Sequence, residues 1–326
     1  MMRRPRPRTV LLATALALAL AAVFAPRLAT RGTAFRLIAV VDVTGSMNVR
    51  DYTRDGRPAS RLDEVKAGLR ALAARLPCGS ELGLGIFTER RSFLLFEPVE
   101  VCADFAPLDG AIANLDWRMA WEGDSYIAAG LYSGIALARP LGADLLFFTD
   151  GQEAPPLPAS GIPPFEEEAG VVRGLIVGVG GATPVPIPKF DRDGQEIGFY
   201  GMDDVPQENR HGLPPTGSEE REGFHPRNAP WGGEAASGEE HLSAVRTDHL
   251  EALAAKTGLA YAPLADAASL AAAIASSARP RPVPGTWDSA PLPAGLSLAL
   301  LIAFFAAEVL HARRPHPHPT TRIRVS

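Results

Sequence analysis

Apolar positions run unbroken through residues 37–41 and then give way to Asp42-Val43-Thr44-Gly45-Ser46. A short run rich in Val, Ile and Leu, bounded by polar residues, predicts a buried strand. The same pattern recurs at residues 144–149 and 171–179, and more briefly at 259–262. Between these runs the spacing becomes helical. Leu62, Val65, Leu69, Leu72 and Leu76 share one face, behind a capping-box-like start at Ser60-Arg61-Leu62-Asp63. Further helices are predicted over residues 108–115, 125–138, 248–257 (stopped by Gly258) and 265–276. Residues 81–88 and 91–96, joined at Glu89-Arg90, predict a hairpin. Strands separated by helices imply an α/β fold. The expected form is a doubly wound, Rossmann-like, mainly parallel sheet with one antiparallel edge strand.

Residues 181–245 break this rhythm with Gly, Pro and charge. Within them, residues 186–190 and 196–200 flank Asp191-Arg192-Asp193-Gly194, which predicts a hairpin with a polar turn. Asp-x-Asp-Gly also begins a calcium loop, but the remaining ligands are missing at the required spacing. Residues 210–239 have little apolar content to bury and read as a long mobile excursion.

The two ends differ from the middle. Arg3, Arg4, Arg6 and Arg8 precede residues 10–25, which are apolar apart from Thr14. Pro26 directly after Ala25 argues against cleavage there, so the segment reads as an uncleaved anchor. Residues 291–310 form a second apolar stretch, followed by Arg313-Arg314 and a basic tail. The expected organisation is a basic N-terminus and anchor at 1–31 and a main domain at 34–279, with an insert at 181–245. A linker at 280–290, a transmembrane helix at 291–312 and a basic tail at 313–326 complete it. The positive-inside rule puts both termini in the cytoplasm and the main domain across the membrane.

Charge narrows the partners. Between the basic ends the chain carries 22 basic and 37 acidic residues, a formal net of −15, which repels nucleic-acid phosphates. The Arg-rich ends suit an anionic inner leaflet. The two cysteines, Cys78 and Cys102, flank the predicted hairpin, whose folding brings them near cross-strand register. In an exported domain that arrangement implies a disulfide.

The candidate chemistry lies where the predicted strands end. Asp42, Thr44 and Ser46 offer three hard oxygens at alternate positions on a tight loop. That set suits Mg²⁺ or another hard divalent cation. The same residue types also serve as a strand end and helix cap. Ser125, opposite the same edge, and Asp150, after the strand at 144–149, add a hydroxyl and a carboxylate. In open α/β sheets this edge is where ligands bind.

Together the three segments resemble the metal-ion-dependent adhesion site of von Willebrand factor type A domains, over residues 34 to 279. The family pattern is Asp-x-Ser-x-Ser, a distant Thr and an Asp after a strand. Asp42, Thr44 and Ser46 match the first part, Ser125 the Thr and Asp150 the last Asp. Thr44 for Ser and Ser125 for Thr depart from the pattern while keeping a hydroxyl. The resemblance implies Mg²⁺ (or Mn²⁺ or Ca²⁺) and a protein partner that offers an Asp or Glu to the metal. The layout of anchor, domain with late hairpin and second anchor resembles bacterial Bat-type aerotolerance proteins. The stretch from Asp42 to Tyr52 looks more like accessory proteins encoded with methanol dehydrogenase. That likeness implies a maturation factor in the bacterial inner membrane with a periplasmic oxidoreductase as client; the alternative is a stress or aerotolerance scaffold.

A metal-dependent hydrolase is a weaker alternative. No His lies near the three motifs, and neither Gly-x-Ser-x-Gly nor a Gly-x-x-x-x-Gly-Lys loop occurs. Gly178-Val179-Gly180-Gly181 runs into Pro184, so it does not open a dinucleotide-binding helix. The expectation is a binding protein, not an enzyme.

Overall fold

The computed structural model describes residues 7–121, 123–158, 160–214, 216–233, 235 and 237–312. The chain divides into two units, residues 33–282 and the paired ends 1–32 and 283–326. The predicted basic tail at 313–326 and the first four arginines except Arg8 lie outside the described residues.

The larger unit is built on six strands: β1 (Arg36–Asp42), β2 (Glu81–Thr88), β3 (Arg91–Glu100), β4 (Asp144–Thr149), β5 (Gly174–Gly178) and β6 (Ala260–Pro263). Their order in the sheet is β6-β5-β4-β1-β2-β3. All neighbours are parallel except β2 and β3, so the predicted antiparallel edge strand is present. Five helices cover the sheet: α1 (Arg61–Ala73), α2 (Phe105–Ala113), α3 (Ile127–Ala138), α4 (Thr247–Thr257) and α5 (Ala267–Ser277). Side chains alternate along β1. Leu37, Ala39 and Val41 pack with Leu62, Val65, Leu69 and Leu72 of α1, and with α2 and α5. Ile38 and Val40 pack with α3 and α4 on the opposite face. Burial on both faces explains why the central strands read as continuous apolar runs.

Helix starts follow local chemistry. The Ser60 hydroxyl accepts from the Asp63 backbone N–H at 3.1 Å, as the capping pattern predicts. Gly258 stops α4 in the left-handed region at φ 78°. The expected helix from residue 125 instead begins at Ile127. Ser125 is held extended by backbone bonds exchanged with Ala154, at 2.6 and 2.8 Å, and therefore cannot enter the first turn.

Residues 181–245 are closed at the neck by an antiparallel pair, Val185–Pro186 with Leu242–Ser243. The predicted hairpin joins Pro188–Phe190 to Glu196–Phe199. Phe190 stacks on Trp117 with ring centroids 4.6 Å apart, and Glu196 bonds Arg50 at 2.5 Å. Residues 210–239 contain a short 3₁₀ turn at Ser218–Glu220.

The ends differ most from expectation. Residues 10–25 fall mostly in a helix, Pro7–Val23, and the second apolar stretch is a helix, Pro291–Ala312. Among the described residues no helix is long and apolar enough to cross a membrane, which corrects the two expected spans. The first has 17 residues, a rise of about 25 Å against a hydrocarbon core of about 30 Å. The two helices instead pair, with Ala15 and Ser297 buried between them and the Ser297 hydroxyl donating to the Ala15 carbonyl at 2.8 Å. Small residues at the contact permit such close approach. The expected linker at 280–290 is largely a strand, Arg281–Asp288, paired with Arg27–Ala34.

Cys78 and Cys102 form a disulfide, with Cα atoms 5.4 Å apart. It fastens the open end of the β2–β3 hairpin, where Glu81 faces Glu100. Closing a loop of 24 residues limits the unfolded chain by about 3 kcal/mol. Denaturant unfolding of Cys102→Ser should therefore show a loss of about that size, and an unchanged midpoint would contradict it.

Candidate metal centre

β1 and β4 lie side by side, and both deliver their carboxyl ends to one edge. From β1 the next strand, β2, lies on one side, while β4 lies on the other. This reversal of strand order opens a crevice at that edge. Asp42 is the last residue of β1, and Asp150 follows β4. Thr44 and Ser46 come from the turn after β1, and Ser125 from the extended segment before α3.

The structure brings the five predicted residues to this edge in two layers. Thr44, Ser46 and Ser125 line a cavity of about 200 Å³. Asp42 and Asp150 are wholly buried and are not part of its lining. One oxygen of Asp42 accepts from the Thr44 N–H at 2.9 Å and its hydroxyl at 2.7 Å; the other accepts from Thr149 at 2.7 Å. Burial, and then the nearby charge of Asp150, push the Asp42 carboxyl up to about 7, against the lowering effect of its hydrogen bonds from Thr149 and Thr44.

Asp150 has a partner that sequence reasoning missed. Arg61, at the first turn of α1 and wholly buried, donates to Asp150 at 2.6 Å and to Asp51 at 2.8 Å. It also donates to the hydroxyl and carbonyl of Ser243 in the neck of the insert, at 2.6 and 3.1 Å. Burial opposes its charge, but Asp150 and Asp51 together outweigh that and hold the guanidinium above its ordinary value. Gly180 leaves room for it, since a Cβ there would lie 2.6 Å from Arg61 Nε. The other Asp150 oxygen accepts from the Gln152 N–H at 3.0 Å, across a turn that Gly151 makes at φ 79°.

Glu153 was also missed. Its two oxygens accept from the N–H groups of Ile127 and Ala128 at 2.9 and 3.0 Å, capping α3 from another loop. His249 lies 3.0 Å from the same carboxylate. No local sequence pattern marks either Arg61 or Glu153, because their partners lie far along the chain.

Two buried polar atoms of lining residues have no hydrogen-bond partner: Ser125 Oγ and Gln152 Oε1. An orphaned buried polar atom costs about 1–3 kcal/mol unless a ligand or water satisfies it. Three hydroxyl residues lining one cavity, Ser125 with its Oγ orphaned and Thr44 bonded to the buried Asp42, together with the Asp42 and Asp150 carboxylates, form a donor set that fits a hard divalent cation. Among the described residues, the group of His, Cys, Asp or Glu side chains close enough together to hold a metal is Cys78, Glu100 and Cys102, whose thiols are consumed by the disulfide.

No family model and no curated protein sequence matches the chain. Among solved structures it is similar to an aerotolerance-related membrane protein from Bacteroides fragilis, at 14% identity and a TM-score of 0.45, covering 74% of this chain and 97% of that one. It is similar to the conserved hypothetical protein BatB from Bacteroides thetaiotaomicron, at 14% identity and a TM-score of 0.46, covering 74% and 98%. A von Willebrand factor type A protein from Catenulispora acidiphila aligns at 12% identity and a TM-score of 0.38, covering 76% and 44%. Likeness at this level assigns no activity to the chain.

The raised Asp42 carboxyl has a consequence for the metal-free protein. The folded state holds a proton that the unfolded chain releases near pH 3.8. This contribution to stability is therefore full below about pH 4 and is lost as pH rises to about 7, by up to about 4 kcal/mol. In chelator, urea unfolding should show Asp42→Asn gaining on the wild type between pH 4 and 7, with a constant difference above. Parallel curves across that range would contradict the assignment.

Proposed function

We propose that this protein captures a protein partner through a divalent cation, Mg²⁺ or in its place Mn²⁺ or Ca²⁺, held by Thr44, Ser46 and Ser125 with Asp42 and Asp150 behind them. The observation that carries the reading is the buried, unpartnered hydroxyl of Ser125 lining the same cavity as the other two hydroxyls. Bound there, the cation would supply an electrophilic point for an external Asp or Glu. The neutral hydroxyls leave most of its charge uncompensated by the protein. Asp42 orients Thr44 through two hydrogen bonds, and Arg61 fixes Asp150.

The terminal helix pair supports a place at a membrane. Leu16, Leu20, Leu296, Leu298, Ile302 and Phe305 are all more than half exposed on it, an apolar surface that water does not favour. The resemblance to methanol dehydrogenase accessory proteins extends the reading to assembly or maturation of a periplasmic oxidoreductase. The same site and attachment would equally serve a Bat-type scaffold.

Ser125 gives the sharpest test. A purely structural hydroxyl would be missed by the fold, whereas this one makes no hydrogen bond in it. Ser125→Ala should unfold at the wild-type urea concentration or higher, yet calorimetry with MgCl₂ should show affinity reduced by about tenfold or more. Unchanged Mg²⁺ affinity in Ser125→Ala, or no binding by the wild type, would overturn the reading.

A further inference from the structure

The cavity over the three hydroxyls is not built by the sheet edge alone. Ile187, Tyr200, Val205 and Pro206, all from the insert, line it together with the hydroxyl residues. At about 200 Å³ it is smaller than the usual small-molecule pocket of about 300–1,000 Å³. That volume suits side chains of a peptide segment and excludes a large cofactor.

Its charge is one-sided. Asp124, Glu153, Asp204 and Glu240 line it, and none of its lining residues is basic. Two of these acids are committed elsewhere: Glu153 caps α3, and Asp204 bonds Lys189 at 2.5 Å. Asp124 and Glu240 have no ion pair among the described residues. Burial, foremost, raises the Glu240 carboxyl above its ordinary value, and the charge of Arg246 offsets part of that rise.

A second observation is independent of the acids. Gln152 is 3% exposed and lines the same cavity. Its amide N–H₂ donates to the carbonyls of Glu240 and Leu242, at 3.1 and 3.0 Å, which fixes the orientation of the amide. Its Oε1 is thereby left as an acceptor with no donor. The cavity thus offers two unmet needs, a hydroxyl suited to a cation and, in a lining that carries four acidic residues, an amide acceptor suited to an N–H cation.

We propose that the partner is a peptide segment in which an acidic residue stands next to an Arg or Lys, the acid going to the metal and the base to Gln152 Oε1 and Glu240, with Asp124 adding to the field. This rests on the metal-dependent reading above and specifies the partner for that same site. An isolated carboxylate approaching the cation meets the repulsion of Asp124 and Glu240. A neighbouring base cancels that repulsion and satisfies the orphaned acceptor. The insert therefore acts as a selectivity wall that discriminates among acidic partners.

The test uses the full chain in detergent with MgCl₂ and two blocked short peptides, one with Arg beside Glu and one with Ala beside Glu. Calorimetry should show the Arg–Glu peptide binding about tenfold tighter than the Ala–Glu peptide. Chelator should abolish binding of both. Glu240→Gln should bring the Arg–Glu peptide down to the Ala–Glu level and leave the Ala–Glu peptide no weaker. Equal affinities for the two peptides in the wild type overturn this inference and leave the metal-dependent reading standing. Binding of either peptide that persists in chelator, or no binding of either, overturns both.

Discussion

A single buried guanidinium holds the candidate centre in register. Arg61 is wholly excluded from solvent, yet it joins four parts of the chain: the first turn of α1, Asp51 after β1, Asp150 after β4 and Ser243 in the neck of the insert. Removing one partner from such a buried pair costs about 3–5 kcal/mol, because the other charge is stranded. The pair fixes Asp150 behind the cavity and ties the insert to the sheet edge. That tie acts together with the Phe190–Trp117 stack, the Arg50–Glu196 pair and the Gln152 bonds to Glu240 and Leu242, which also hold the insert to the sheet edge.

Electrostatic balance follows from the same contact. Asp42 and Asp150 are close enough for the charge of one to oppose ionisation of the other. Arg61 offsets Asp150, so Asp42 is the carboxylate whose charge remains costly in the metal-free protein. A divalent cation in front of Thr44 would remove that cost. Under the proposed reading the site would be a cation centre in two layers, with the hydroxyl residues lining the cavity and the buried carboxylates outside its lining.

Much of this was legible in the chain because it is local. The apolar runs gave the central strands, the spacing of Leu62 to Leu76 gave the buried face of α1, and the β2–β3 hairpin placed Cys78 near Cys102. Asp42, Thr44 and Ser46 are written within one turn, so their grouping needs no tertiary knowledge. Arg61 and Glu153 were invisible for the opposite reason. Arg61 meets Asp150 and Ser243 across separations of 89 and 182 residues, and an Arg opening a helix carries no mark of burial. The start of α3 was misplaced because a backbone bridge to Ala154 outweighed helix propensity at Ser125. The apolar ends illustrate a different limit, since hydropathy does not reveal that two such helices pair around Ala15 and Ser297.

The central claim is that a metal binds in the cavity, in front of the carboxylates. The most direct test is anomalous diffraction from crystals of the protein grown with MnCl₂. The account predicts an anomalous peak among the hydroxyl oxygens of Thr44, Ser46 and Ser125, with the Arg61–Asp150 pair intact behind it. A cavity with no peak at saturating Mn²⁺, or a peak confined to another acidic site such as the Asp191–Asp193 turn, would contradict it.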